Sequence, residues 1–274
     1  ETHKRLAIEL EEKGELKAAE EEYLKAGEWM AAINMYRERE QWSDAYRLAK
    51  AEGGSNTHKQ IGYLWAKSVG GEAAVNLLNK FGMLNDAIDN ACENGAFDFA
   101  FELAKLGAKD RLAEVHTRMA VQMEEEGNFE GAARHYIDGG KADEAVAMFI
   151  HDQDWANAEK VAKEHANDTL PTVYMAEAKQ ALEQSDYARG ESFLLRANRP
   201  DLILRYFKEN GMWADALRIA REYVPNQLDQ IQEEFEQHEL RDGLRGVDSY
   251  IAQGKEAESR REWQMAVSSY LKVR

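Results

Sequence analysis

The chain repeats itself every thirteen residues, and a repeat settles architecture before composition or local propensity can. Take Gly14 as position zero. A bulky apolar residue follows at plus two (Leu16), alanine at plus five (Ala19) and an apolar residue at plus nine (Tyr23). The pattern returns at Gly27 with Trp29, Ala32 and Tyr36, and at Glu40 with Trp42, Ala45 and Ala49. Thirteen such rungs start at 14, 27, 40, 69, 82, 95, 127, 140, 153, 185, 198, 211 and 261. Eleven carry alanine at plus five; Gly190 and Ile203 are the exceptions. With 40 alanines in 274 residues, chance would place about two there. Five of the six tryptophans (Trp29, Trp42, Trp155, Trp213 and Trp263) fall at plus two, and only Trp65 does not.

A second period lies above the first. The rungs group in threes beginning at 14, 69, 127 and 185, in steps of 55, 58 and 58 residues. Position plus nine is large in each first rung (Tyr23, Leu78, Tyr136, Leu194) and alanine in each third rung (Ala49, Ala104, Ala162, Ala220). Each module therefore reads as three short helices and a longer one. The step from 185 to 261 is 76, which places about 18 extra residues between Val224 and Arg261.

The spacing dictates how a rung folds. Thirteen residues leave about ten in a helix of ~15 Å and a turn. A helix that short is marginal alone in water, so it must be stabilised by its neighbours. Positions plus two, plus five and plus nine are three and four apart and share one face. Alanine at plus five lets an adjacent backbone approach closely. Glycine at position zero in seven rungs (14, 27, 82, 95, 127, 140, 211) predicts a positive φ that ends the preceding helix. Asp44, Asp86, Asp98, Asp143 and Asp215 fall in predicted first turns, where the helix dipole favours negative charge. Pro171, Pro200 and Pro225 fall at predicted helix starts. The longer helices are predicted over Thr2–Lys13, His58–Val69, Lys109–Glu126, Thr172–Gln184, Pro225–Leu240 and Val247–Arg260. Flexible loops are predicted at Gly53–Asn56 and Arg241–Gly246.

No Val/Ile/Thr alternation suggests a strand. The expected fold is all-α: a right-handed tetratricopeptide-like α-solenoid of short antiparallel helix hairpins. It forms one segment over 1–274, with units of about 1–56, 57–108, 109–167, 168–224 and 225–274. The chain starts at Glu1 without methionine and stops shortly after the rung at Arg261, so a fragment of a longer solenoid is expected.

Net charge is −16, which disfavours nucleic-acid phosphates and anionic lipid. Cys92 is the single cysteine, so no internal disulfide can form; it reads as a packed thiol in a reducing compartment. No apolar run approaches the ~20 residues of a spanning helix. The seven histidines (His3, His58, His116, His135, His151, His165, His238) form no metal-binding spacing, and His151-Asp152-Gln153-Asp154 reads as a solvated turn. No phosphate-binding glycine loop or nucleophile elbow is present. The acidic runs at Glu9–Glu12, Glu20–Glu22 and Glu124–Glu126 read as solvated helix faces. Asn167-Asp168-Thr169 matches a glycosylation acceptor, which means nothing if the protein is cytosolic. Trp65, with Ile61 and Leu64, reads as core. The expectation is therefore no catalytic, cofactor or metal residues, no cofactor and no enzyme, with partner-binding residues unassigned. A basic clamp for a peptide carboxylate would need Arg37, Arg47, Arg205 and Arg218 to share a face.

The rungs resemble the degenerate tetratricopeptide-like solenoids of coat and ciliary transport subunits. The likeness narrows at particular stretches: Ala45-Tyr46-Arg47-Leu48-Ala49-Lys50-Ala51-Glu52-Gly53, Tyr63-Leu64-Trp65-Ala66-Lys67-Ser68, Gly70-Gly71-Glu72-Ala73-Ala74-Val75 and Leu77-Leu78-Asn79-Lys80. Phe99-Ala100-Phe101-Glu102-Leu103, Gln153-Asp154-Trp155 with Asn157, and Tyr270-Leu271-Lys272-Val273-Arg274 continue it. These are similar, over the whole chain, to the solenoid of the 172-kilodalton subunit family of intraflagellar transport complex B. The resemblance implies a scaffold segment of the transport train that contacts other subunits of complex B and complex A, at the cilium or flagellum and the basal body, on the cytoplasmic side. It implies no nucleic acid, no membrane insertion and no small-molecule substrate. A vesicle-coat solenoid or a peptide-binding tetratricopeptide adaptor is the alternative.

Overall fold

The computed structural model describes residues 1–259 and 261–272, without the side chains of 243–245. Among the described residues there is no strand and the chain is helical almost throughout. In chain order the helices are α1 (Thr2–Glu12), α2 (Leu16–Lys25), α3 (Trp29–Glu38), α4 (Trp42–Glu52), α5 (Gly54–Val69) and α6 (Gly71–Phe81). Then come α7 (Leu84–Glu93), α8 (Phe97–Gly107), α9 (Leu112–Glu125), α10 (Phe129–Asp138), α11 (Ala142–His151) and α12 (Trp155–His165). The last are α13 (Leu170–Glu183), α14 (Tyr187–Arg196), α15 (Pro200–Glu209), α16 (Trp213–Tyr223), α17 (Leu228–Ser259) and α18 (Trp263–Leu271). Neighbours in sequence pack as pairs, the arrangement of an all-α solenoid. The chain divides into two compact bodies, Glu1–Val161 and Ala162–Arg274.

One turn joins the rungs. Gly14 N–H donates to the Glu11 carbonyl at 3.0 Å, and Glu15 N–H to the Leu10 carbonyl at 2.9 Å. That pair of bonds is the Schellman motif, which satisfies the orphan carbonyls at a helix end. It recurs before Gly27, Glu40, Gly82, Gly95, Gly127, Gly140, Gln153, Ser185, Asn198, Gly211 and Arg261. All twelve residues lie at φ between 57° and 80°, and all twelve are position zero of a rung. The remaining rung departs: its position zero, Val69, is not among the positive-φ residues, which here are Gly70 and Gly71, and Gly70 N–H bonds the Ala66 carbonyl at 2.9 Å.

The seam is where the spacing put it. The eleven plus-five alanines are at most 2% exposed, and Ile203 is 0% exposed. A methyl on Gly190 would lie 2.5 Å from Cδ2 of Leu182, so Leu182 fills the space that alanine fills elsewhere. Around this seam the first body gathers Ile33, Tyr36, Leu48, Leu78, Ile88 and Leu103. The second body gathers Ile203, Phe207, Ile219 and Ile231. Each such side chain contributes roughly 1.5–3 kcal/mol by leaving water. Trp65 joins the aromatic packing, 6.2 Å from Tyr46 and 5.8 Å from Phe81, and those two rings stack at 4.1 Å.

Two predicted loops are absent. At Gly53–Asn56 the chain turns within one residue, Gly54 at φ 68°, and α5 begins there rather than at His58. Arg241–Gly246 is not a loop either. α17 runs unbroken from Leu228 to Ser259, where two helices were expected. Glycine inside a helix costs about 1 kcal/mol relative to alanine but does not stop it, and no proline follows Pro225. The 18 extra residues fit this, because at 3.6 residues per turn they add about five whole turns. The end of α17 thus meets α18 on the face a shorter helix would present. The expected end at Arg260, and the closing Val273-Arg274, lie outside the described residues. The 58-residue period does appear in the backbone: 3-10 turns at Lys109–Arg111, Asn167–Thr169 and Pro225–Gln227 precede three successive long helices. Pro171 and Pro200 sit in first helical turns as expected.

Candidate protein-contact surface

Helices two apart in sequence are tied by side chains at fixed rung positions. In the first module the Arg47 guanidinium donates to both carboxylate oxygens of Glu20, at 2.7 and 3.0 Å, and to Asp44 at 3.4 Å. In the fourth, Arg218 donates to both oxygens of Glu191, at 2.9 and 2.7 Å, and to Asp215 at 3.2 Å. The glutamate is plus six of a first rung in both; the arginine and aspartate are plus seven and plus four of a third. The second module has Val75 and Glu102 at the first two places, and Glu102 instead accepts the Gly71 N–H at 2.9 Å. The third has Ala133 and Lys160 there.

Tyrosines at plus nine make a second tie. Tyr23 donates to Glu11 at 2.6 Å, Tyr136 to Glu124 at 2.8 Å and Tyr36 to Glu20 at 2.6 Å. Burial and the accepting carboxylate hold all three phenols above their ordinary pKa. Burial works to raise the Glu20 carboxyl, but the bonds from Arg47 and Tyr36 prevail and hold it below the usual carboxylate range. The acidic runs are thus not simply solvated: Glu11, Glu20 and Glu124 are half-buried structural acceptors. Sequence reasoning missed them, although a Glu twelve residues before Tyr, repeated at Tyr23 and Tyr136, was a visible signal.

Two grooves open between a long helix and the second short helix of its module. The α5–α7 groove has a volume of about 610 Å³ and a mixed lining, with Asn56, Lys59, Asp86 and Asn90 beside Leu64 and Met83. Lys59 bridges its walls to Asp86 at 2.6 Å. The Tyr63 hydroxyl is buried without a hydrogen-bond partner, and burial pushes its pKa up. The α13–α15 groove encloses about 490 Å³ over Met175, Leu182, Leu194, Leu202 and Tyr206. Its rim charges pair within their own walls, Lys179 with Glu183 at 3.9 Å and Arg205 with Glu209 at 4.0 Å.

The four arginines considered for a clamp are each engaged within their own body. Arg47 and Arg218 are bound in the ties, Arg205 lies on a groove rim, and Arg37 donates to Asn34 at 3.0 Å beside Trp42. Asp154 caps α12, accepting the Asn157 N–H at 3.2 Å, so the His151–Asp154 stretch is a helix-starting turn. Cys92 packs in the core, where burial raises its thiol pKa. Among the described residues no three His, Cys, Asp or Glu side chains gather to hold a metal ion, and no helix is long and apolar enough to cross a membrane. What the surface offers chemically is shaped grooves between packed helices.

No protein-family model matches the chain. Curated proteins do. The chain is 59% identical over 273 residues to intraflagellar transport protein osm-1 of Caenorhabditis elegans and 50% identical over 273 residues to the intraflagellar transport protein 172 homolog of Homo sapiens. It is 36% identical over 276 residues to intraflagellar transport protein 172 of Chlamydomonas reinhardtii. Each match covers all of this chain and 16% of the relative's length.

Proposed function

Because the chain belongs, as a segment, to the intraflagellar transport protein 172 family, we propose that it is a non-catalytic scaffold segment of the intraflagellar transport train. Its helices present grooves and edges on which other transport subunits dock, those of complex B and complex A, in support of cilium assembly and axonemal transport. It works at the cilium or flagellum and the basal body, on the cytoplasmic side. The units of about 1–56, 57–108, 109–167, 168–224 and 225–274 are the docking modules of one solenoid segment. The observation that carries this reading is identity of 36–59% over alignments that span the whole chain. The engagement of Arg47 and Arg218 within the fold argues against a carboxylate-clamp adaptor.

The test is capture of purified transport subunits, and separately of purified vesicle-coat subunits, on the immobilised 274-residue chain. The proposal expects a transport subunit to be retained and coat subunits to pass. Retention of coat subunits alone, or of neither set, overturns it.

A further inference from the structure

In the first body, two histidines face each other across the α9–α10 pair. His116 Nδ1 lies 3.0 Å from His135 Nδ1, a hydrogen-bond distance, and the ring centroids are 5.2 Å apart. Both are half-buried. Phe101 of α8 packs on both rings, its centroid 4.7 Å from His116 and 5.8 Å from His135, and Lys105 Nζ sits 5.6 Å from the Phe101 centroid. A bond between two imidazole nitrogens needs one N–H donor and one bare lone pair. The neutral pair meets that requirement. So does the singly protonated pair, where the charged ring donates to the neutral one more strongly. The doubly protonated pair does not, because both facing nitrogens then carry hydrogen and both rings carry charge.

We propose that His116 and His135 form a proton-sharing latch that holds α9 to α10 while at most one added proton resides on the pair, and releases that seam when a second arrives from solvent. The charged groups set around His116 are Lys105 from α8 and His135 and Asp138 from α10. Burial, then the charge of His135, lower the pKa of His116; Lys105 adds to this and Asp138 opposes it. A base whose folded pKa lies below its unfolded value stabilises the fold above the unfolded value, and that contribution is lost as pH falls through the folded value. Acid release therefore begins below the ordinary histidine pKa of about 6.5. It is separate from carboxylate titration, which lies lower. None of this depends on the transport function proposed above.

The experiment is a titration of the histidine Cε1 protons of the 274-residue chain between pH 8 and 5, with melting temperatures over the same range. His116→Gln assigns the resonance. The latch predicts that His116 titrates below the ordinary value, and that His135→Gln returns it toward that value. It also predicts that the parent loses roughly 2–4 °C more than His135→Gln between pH 7 and 5. Should His135→Gln fail to fold, His135→Asn takes its place in both measurements. Titration of His116 at the ordinary value, or unchanged by His135→Gln, overturns the latch, as does an acid loss equal in parent and variant.

Discussion

The first and fourth modules tie their short helices with the same three side chains, and the second and third do not. Glu20, Asp44 and Arg47 recur as Glu191, Asp215 and Arg218 at the same rung positions. In the second module those positions hold Val75, Phe99 and Glu102, and Glu102 caps the backbone of α6 instead. In the third they hold Ala133, Asn157 and Lys160. Yet the plus-five seam is closed in all four, with Ile203, and Gly190 together with Leu182, standing in for alanine in the fourth. The seam is thus the common requirement of the stack, and the ties are variable additions to it. Close packing explains the difference in tolerance. A buried methyl position admits a larger group only where its neighbours make room, as they do at Ile203, whereas a half-exposed ion pair can be replaced by apolar contact at little cost.

The largest effect should follow from breaking the seam. Ala145→Leu, in the third module, which lacks the arginine tie, should cost at least about 1–3 kcal/mol through overpacking. Ala45→Leu, in the tied first module, should cost as much, because the tie does not relieve the clash. A melting temperature equal to the parent's for either variant breaks the comparison. A smaller effect tests the second module's substitute tie. Glu102→Ala leaves the Gly71 N–H without its acceptor and should cost about 0.5–2 kcal/mol, in the range of a lost helix cap, measured by denaturant midpoint.

The third prediction concerns pH. The Glu20 carboxyl is held below its ordinary value, so its stabilising contribution is complete above the unfolded pKa of about 4.3 and is lost as pH falls through the lower folded value. Melts between pH 5 and 3 should show a shallower acid loss in Glu20→Gln than in the parent. The smallest effect belongs to the turns. Glu40 holds φ 57° without being glycine. Glu40→Gly should raise stability by about 1 kcal/mol or less, because relief of left-handed strain exceeds the added freedom of the unfolded chain.

The seam and the turns were legible because each is encoded at one position of a fixed period. Alanine at plus five and glycine at zero can be counted, and the structure buries the first and twists the second. Even Glu40, Gln153, Ser185, Asn198 and Arg261 adopt the left-handed turn, since the period fixes the backbone more firmly than the residue type does. The long helix α17 was not legible, because glycines at 243 and 246 carry a turn signal that the surrounding helix overrides. Nor were the ties. An Arg and a Glu 27 residues apart meet only because helices two apart lie side by side, a fact of packing rather than of local pattern. The α5–α7 and α13–α15 grooves depend on how deeply Tyr63 and Leu182 sit, which no period records.

The central claim is that rung position, not local neighbourhood, assigns a side chain its role. Two double-mutant cycles test it most directly: Glu20→Gln with Arg47→Met, and Glu191→Gln with Arg218→Met, each read by equilibrium unfolding. The account predicts a favourable coupling of about 1 kcal/mol that is equal in the two pairs within error. Coupling present in one pair and absent from the other would contradict it.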